Sequence, residues 1–187
     1  MKYTFLITLF FIGLTVKAVE PTASQLEALN TAKDVKYFSQ PEKEFLYYLN
    51  IARVYPKYFA KKYLIAEGHN KSSYEKSLIR TLNKTKGLEA MQPNAQLKKT
   101  ARCLSEEQKK NGRTGHRRSR CKEDYYAECC AYTHEKSALS MVIQLLVDHG
   151  VPDLGHRKIM LSKKYSKAGV SIGGHKKYPY AVVVDFK

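Results

Sequence analysis

Three residues have side chains that could bind a metal ion or move a proton. His116 follows a glycine in a basic loop, Glu128 is the only charged residue in the run 125–132, and His156 lies between a glycine and an arginine. Two neutral imidazoles and one carboxylate are a common ligand set for zinc, and they leave one position open for water or a ligand. The alternative is a hydrogen-bonded cluster of glutamate and histidine that only stabilises the fold.

The sequence around Glu128 reads as a β-strand, Tyr-Tyr-Ala-Glu-Cys-Cys-Ala-Tyr. A lone carboxylate in an apolar strand is costly to bury unless it is paired or hydrogen-bonded, so we expect Glu128 to have a cationic or metal partner. Side chains alternate along a strand, which places Cys130 on the same face as Glu128 and Cys129 on the opposite face. One cysteine is therefore expected to border the site.

Residues 150–161 are expected to position His156. An apolar run ends at Gly150, Val-Pro turns the chain, and Asp153 is placed to cap a short helix that carries His156 in its first turn. The preceding segment, 137–149, predicts a buried helix with a single polar stripe. That stripe consists of Ser140, Gln144 and Asp148.

Four cysteines remain after the first 18 residues: Cys103, Cys121, Cys129 and Cys130. An even number in an exported chain predicts two disulfides. A bond between the neighbours Cys129 and Cys130 would have poor geometry, so we expect Cys103 and Cys121 each to pair with one of them. A zinc site is the alternative for the cysteines, although no Cys-x-x-Cys spacing is present.

The remaining pattern predicts an α+β fold with helices packed against an antiparallel sheet. Residues 69–86 are polar and are interpreted as a loop. The C-terminal pattern, with a Gly-Gly pair between two apolar runs, predicts a β-hairpin over 167–186. The predicted helices begin at Ser39, Pro56 and Asn94 and end before Pro56, near Ala66 and near Asn111.

The N-terminus has the pattern of a secretory signal peptide over residues 1–18, with an early lysine, an apolar run and a small-residue cleavage site. Residues 19–38 are a polar lead-in, and 39–187 form the predicted domain. Removing 1–18, which carry two lysines and no acidic residue, lowers the formal net charge from +16 to +14. Such a charge favours anionic surfaces. No nucleic-acid-reading motif and no later membrane-spanning segment is present. We expect an exported monomer that is secreted or, in a bacterium, periplasmic.

Five short motifs occur in a characteristic order: Asn50-Ile-Ala-Arg53, Gly115-His116, Ala127-Glu128, Gly155-His156-Arg157 and Ala168-Gly-Val-Ser. In that order and spacing, the chain resembles the CAP superfamily of cysteine-rich secretory proteins, antigen 5 and pathogenesis-related proteins, over roughly residues 42–186. The segment preceding His156 looks like the compact microbial-type branch of that superfamily.

The resemblance implies an α-β-α sandwich with a central cleft. It places His116, Glu128 and His156 on the cleft positions and suggests that zinc or another divalent metal binds there. The second glutamate of the family has no clear counterpart in this chain. Asp148 is the candidate for that fourth position, and His149 is the alternative.

The resemblance also implies a non-enzymatic binding module for a lipid, a sterol or a cell-surface ligand. This agrees with the sequence, in which no serine or cysteine is evidently activated as a nucleophile. One alternative is a metal-dependent hydrolase, a peptidase in which Glu128 acts as general base. The other is a cationic protein that binds membranes or cell walls through its charge.

Overall fold

The structure is a computed structural model that describes residues 20–187. The predicted signal peptide, 1–18, lies outside the described residues. The chain begins with a short helix, α1 (Ala23–Glu27). The lead-in then packs into the domain, because Leu29 is buried in the main core and its carbonyl accepts a hydrogen bond from the Asn50 side chain at 3.0 Å.

The first long helix, α2 (Gln40–Val54), begins where the sequence predicts. Ser39 and Glu42 form a capping box, which satisfies backbone N–H groups at the helix start. Near its end, the buried Arg53 guanidinium donates to three carbonyls of the segment 160–165, at 2.7 to 3.0 Å. Arg53 therefore ties this helix to the chain that leads into the sheet.

Two short segments follow α2. Helix α3 (Pro56–Phe59) continues into a π-helical turn (Ala60–Ile65), and the two together match the predicted second helix. Phe59 packs inward in the main core.

Helix α4 (Ser73–Lys84) shows that the loop predicted for residues 69–86 is wrong. Ser72 and Glu75 form a capping box at its start, and Leu78 and Leu82 lie one turn apart and are fully buried. The polar composition of the segment belongs to the solvent-facing side of an amphipathic helix.

Helix α5 (Ala95–Asn111) is capped by Asn94 and ends at Gly112, which adopts the left-handed conformation. Its backbone lies directly on the sheet at Gly169. A Cβ atom at Gly169 would fall 2.1 Å from the Leu97 carbonyl carbon, so no other residue fits between helix and strand at this point.

The sheet has four strands: β1 (Gln92–Pro93), β2 (Ala127–Thr133), β3 (Lys167–Gly173) and β4 (Tyr180–Phe186). Their order in the sheet is β1-β3-β4-β2. The short β1 pairs in parallel with β3, and the other neighbours are antiparallel. β4 lies in the middle of the sheet, and β2 lies at an edge.

Helices cover both faces of this sheet. α5 packs on one face, while α2 and α6 (Ala138–Val147) pack on the other and α7 (Gly155–Met160) contacts β2. Cys129 belongs to the main core on the α6 side, and Cys130 belongs to a small cluster under α5. The predicted α-β-α sandwich of class α+β is confirmed, with a sheet that is mixed rather than purely antiparallel because β1 pairs in parallel. Within residues 20–187, no helix combines the length and apolar character that crossing a membrane requires.

Candidate functional site

A cleft of about 380 Å³ runs along the outer edge of β2. This volume lies in the range of small-molecule sites. Because β2 is an edge strand, residues from both of its faces reach the cleft. Its lining includes Cys130, Tyr132, Asp148, His149, His156 and Tyr178.

The first side-chain pair beside this cleft is His116 with Glu128. The Nδ1 atom of His116 lies 2.9 Å from Oε1 of Glu128. The Glu128 side chain is only 2% exposed, whereas that of His116 is 55% exposed. The hydrogen bond to Glu128 raises the pKa of His116, because the carboxylate stabilises the imidazolium.

Backbone contacts fix the loop that carries His116. The N–H of Gly115 donates to the Tyr132 hydroxyl at 2.8 Å, and the Gln108 amide donates to the Gly115 carbonyl at 2.7 Å. The imidazole is therefore attached to a restrained turn and points at a buried carboxylate.

Glu128 has a second, buried partner in Arg118. The guanidinium of Arg118 forms an ion pair with Glu128 and lies 3.4 Å from Asp185 on β4, with side chains 3%, 2% and 0% exposed respectively. It also donates to the carbonyl of Thr100 on α5 at 2.8 Å. The expectation that Glu128 has a cationic partner is confirmed, and the partner is Arg118 as well as His116.

Asp185 occupies the most buried position of this network. Burial raises its pKa to about 8, and its interaction with Glu128 acts in the same direction. Its Oδ2 lies 2.5 Å from the Thr100 hydroxyl, which also contacts the Leu97 carbonyl at 2.9 Å. A hydroxyl has one proton to donate, so a protonated Asp185 lets both contacts form. The network then carries one carboxylate charge opposite one guanidinium.

This pKa gives a sign for the dependence of stability on pH. Between about pH 4 and pH 8, the folded state keeps a proton on Asp185 that the unfolded chain has lost. The free energy of unfolding therefore falls as the pH rises through this range, by at most about 1.4 kcal/mol per pH unit. We expect Asp185→Asn to flatten that slope in urea unfolding measured across this range. His116→Gln is the control. The raised pKa of His116 changes the free energy of unfolding with the same sign, but its ring is exposed, so we expect this variant to change the slope less. A slope that is unchanged in Asp185→Asn would contradict the assignment.

The second pair beside the cleft is His156 with Asp148. Nδ1 of His156 lies 2.7 Å from Oδ1 of Asp148, and Oδ2 accepts from the backbone N–H of Arg157 at 3.3 Å. The prediction that Asp153 caps α7 is wrong: the helix is preceded by Leu154 with φ 54°, without a side-chain cap. Asp148 is held at this helix start by the left-handed turn after α6, with φ 58°.

The two candidates for the fourth cleft position differ in their contacts. Asp148 is buried against His156, whereas His149 is exposed and its ring packs on Tyr74 at 5.0 Å between centroids. Both line the cleft.

The metal set predicted from the sequence is distributed over these two pairs. His116 meets Glu128, and His156 meets Asp148. Among residues 20–187, the groups of three ligand atoms that lie within 4.8 Å of one another do not include His156; one of them joins His116, Glu128 and Cys130. A set of His116, Glu128 and His156 therefore stays a prediction.

The disulfide arrangement differs from the expectation. Cys103 on α5 is bonded to Cys121, with 5.7 Å between the Cα atoms, while Cys129 and Cys130 are free and buried. The predicted pairing of Cys103 and Cys121 with the 129–130 pair is wrong. Cys129 points into the main core, on the face of β2 opposite to α5, because side chains alternate along the strand. The loop after α5 folds back beside that helix, which brings Cys121 to Cys103. The bond also excludes these two as zinc ligands.

A comparison with known protein families matches residues 46–186 to CAP, the cysteine-rich secretory protein family. The chain belongs to this family. No curated protein and no solved structure matches the chain. In this CAP domain the motif residues have separate tasks: Asn50 and Arg53 bind backbone carbonyls between layers, and the two histidines meet carboxylates beside the cleft.

Two residues of the site were missed by sequence reasoning. Asp185 is the only charged residue in 180–186, which is the same signal that identified Glu128. Arg118 had no such signal, because it is one of four arginines in the loop 113–120 and only the folded loop separates the buried one from the exposed ones.

Proposed function

We propose that this CAP domain, residues 39–187 behind a signal peptide of residues 1–18, is a secreted, non-enzymatic binding module. Its cleft along β2 takes up a lipid, a sterol or a cell-surface ligand, and a divalent metal binds beside the cleft at the predicted positions His116, Glu128 and His156. The cleft itself is the observation that carries the proposal: it is open, ligand-sized, and lined by the rings of Tyr132 and Tyr178 and by His149 and His156.

The chemistry beside the cleft supports binding more than catalysis. Burial raises the pKa of both free thiols, Cys129 and Cys130, which disfavours the thiolate that a nucleophile needs. One carboxylate oxygen of Glu128 contacts His116 and the other contacts Arg118. Neither oxygen is therefore free to act as the general base that the hydrolase alternative requires.

Blocking the cleft tests the binding proposal. Gln144 is exposed on α6 and lines the cleft, so Gln144→Trp should fill it and reduce retention of sterols and fatty acids by at least about tenfold, a loss of about 1.4 kcal/mol. The matched control is Ser140→Trp, one turn earlier on the same stripe and outside the lining. Retention is measured by mass spectrometry after incubation and gel filtration. Equal retention by both variants, or none by the wild type, would contradict lipid uptake.

A cationic surface supports a second candidate, binding to anionic membranes or cell walls. Lys176 and Lys177 pack beside Gly112 at the end of α5. They join other exposed basic residues of that region: Lys109, Lys110 and Arg113. We expect the protein to bind anionic liposomes in the same kind of incubation. Binding should weaken as added salt reduces the Debye length from about 8 to about 3 Å, and it should persist in His116→Ala.

A further inference from the structure

Three potential metal ligands converge where the loop after α5 meets β2. Nδ1 of His116 lies 2.9 Å from Oε1 of Glu128 and 3.8 Å from Sγ of Cys130. All three ligand atoms lie within 4.8 Å of one another. Glu128 and Cys130 share one face of β2 because they are two residues apart.

The two separations from Nδ1 of His116 are close to those of a tetrahedral site. With metal bonds of 2.0 to 2.3 Å, tetrahedral nitrogen, oxygen and sulfur ligands lie about 3.3 to 3.6 Å apart. The observed 2.9 and 3.8 Å differ from that range by a few tenths of an ångström, which small side-chain rotations supply. The backbone of the loop and the strand can stay where they are.

We propose that His116, Glu128 and Cys130 bind a thiophilic divalent ion such as Zn²⁺, with Cys130 as the third ligand. The inference deepens the metal part of the proposed function and rests on it, and it replaces His156 in the set predicted from the sequence. Thiolate, imidazole and carboxylate are a ligand set suited to zinc, and a soft sulfur ligand disfavours Mg²⁺ and Ca²⁺.

The charge of the surroundings suits such an ion. Of the two positive charges that the ion brings, the Cys130 thiolate offsets one, and a proton released by an imidazolium at His116 offsets the other. Arg118 stays on the other oxygen of Glu128 and is not displaced. The half-exposed ring of His116 gives an ion access from solvent.

Binding exchanges protons for the metal. The buried thiol of Cys130 loses its proton to solvent as the sulfur–metal bond forms. A neutral His116 moves its proton from Nδ1 to Nε2, while an imidazolium releases it. Between one and two protons therefore leave for each ion bound, and no electron is transferred.

Cobalt substitution tests the assignment directly. We expect Co²⁺ added to the folded, disulfide-intact protein to give a thiolate-to-cobalt charge-transfer band in the near ultraviolet. The band should disappear in Cys130→Ser and Cys130→Ala. It should remain in Cys129→Ser, whose side chain lies on the opposite face of β2. Zinc titration calorimetry should show at least about a hundredfold weaker binding for Cys130→Ser and His116→Gln, since even residues that only support a ligand change affinity by 10 to 100-fold.

His156→Gln separates this inference from the wider proposal. Unchanged zinc binding in His156→Gln together with its loss in Cys130→Ser supports Cys130 as ligand. Loss in His156→Gln with binding retained in Cys130→Ala overturns the inference and leaves the set predicted from the sequence. No binding by the wild type overturns both metal assignments, and the lipid retention experiment then tests the binding module independently. Thermal unfolding of each variant identifies any that fail to fold. If Cys130→Ser does not fold, Cys130→Ala takes its place, and the cobalt spectra of the wild type and Cys129→Ser still report whether a thiolate binds the ion.

Discussion

Arg118→Met should destabilise the domain by about 3 to 5 kcal/mol at neutral pH, the range found when one partner of a buried ion pair is removed. The side chains of Glu128 and Asp185 are almost fully buried, and Arg118 is their shared cation. Without it, two acidic groups face one another in a site with little access to water. Urea unfolding of the variant and the wild type measures the difference.

Two comparisons separate charge from packing in this result. Arg117→Met changes the exposed neighbour in the same loop and should stay within about 0.5 kcal/mol of the wild type. Adding Glu128→Gln to Arg118→Met should restore part of the lost stability, because it removes the uncompensated charge. If Arg118→Met cost no more than Arg117→Met, the buried network would contribute little to stability.

Removing the disulfide should have the second largest effect. Cys103→Ser with Cys121→Ser opens a loop of 18 residues, for which the loss of chain entropy in the unfolded state predicts about 3 kcal/mol. Both His116 and Arg118 lie inside this loop, so their positions depend on the bond. Urea unfolding gives the stability, and hydrogen exchange of residues 113–120 gives the local effect.

The reduced wild type is the matched comparison for the double variant. It should unfold at the same urea concentration as the variant, and the variant itself should not respond to a reductant. A double variant as stable as the oxidised wild type, with unchanged exchange in 113–120, would show that the hydrogen bonds of Gly115 hold the loop without the disulfide.

The elements of the fold could be predicted wherever local signals agreed. The capping box at Ser39, the stop at Gly112 and the Gly-Gly pair in the terminal hairpin each placed an element correctly. Helix α4 was missed because its polar composition outweighed two buried leucines one turn apart. Its Ser72–Glu75 capping box was the signal that should have decided the case.

The candidate site was less accessible to sequence reasoning, because its partners depend on packing in three dimensions. A buried carboxylate at Glu128 implies a cation but cannot select one arginine among four in the loop 113–120. The cysteine pairing likewise depends on where that loop returns. The sequence placed Cys130 on the face of Glu128, and the fold then brought His116 to both.

The position of β4 has a consequence for the order in which the protein can assemble. β4 follows every other element along the chain, yet it lies between β3 and β2 in the sheet. Until residues 180–186 have been synthesised, the two strands lack their common neighbour, and Asp185 is absent from the charge network. The sheet therefore cannot be completed until the end of this segment has been synthesised. A sheet that closes only at this late point suits passage through a translocation channel, as the proposed secretion requires.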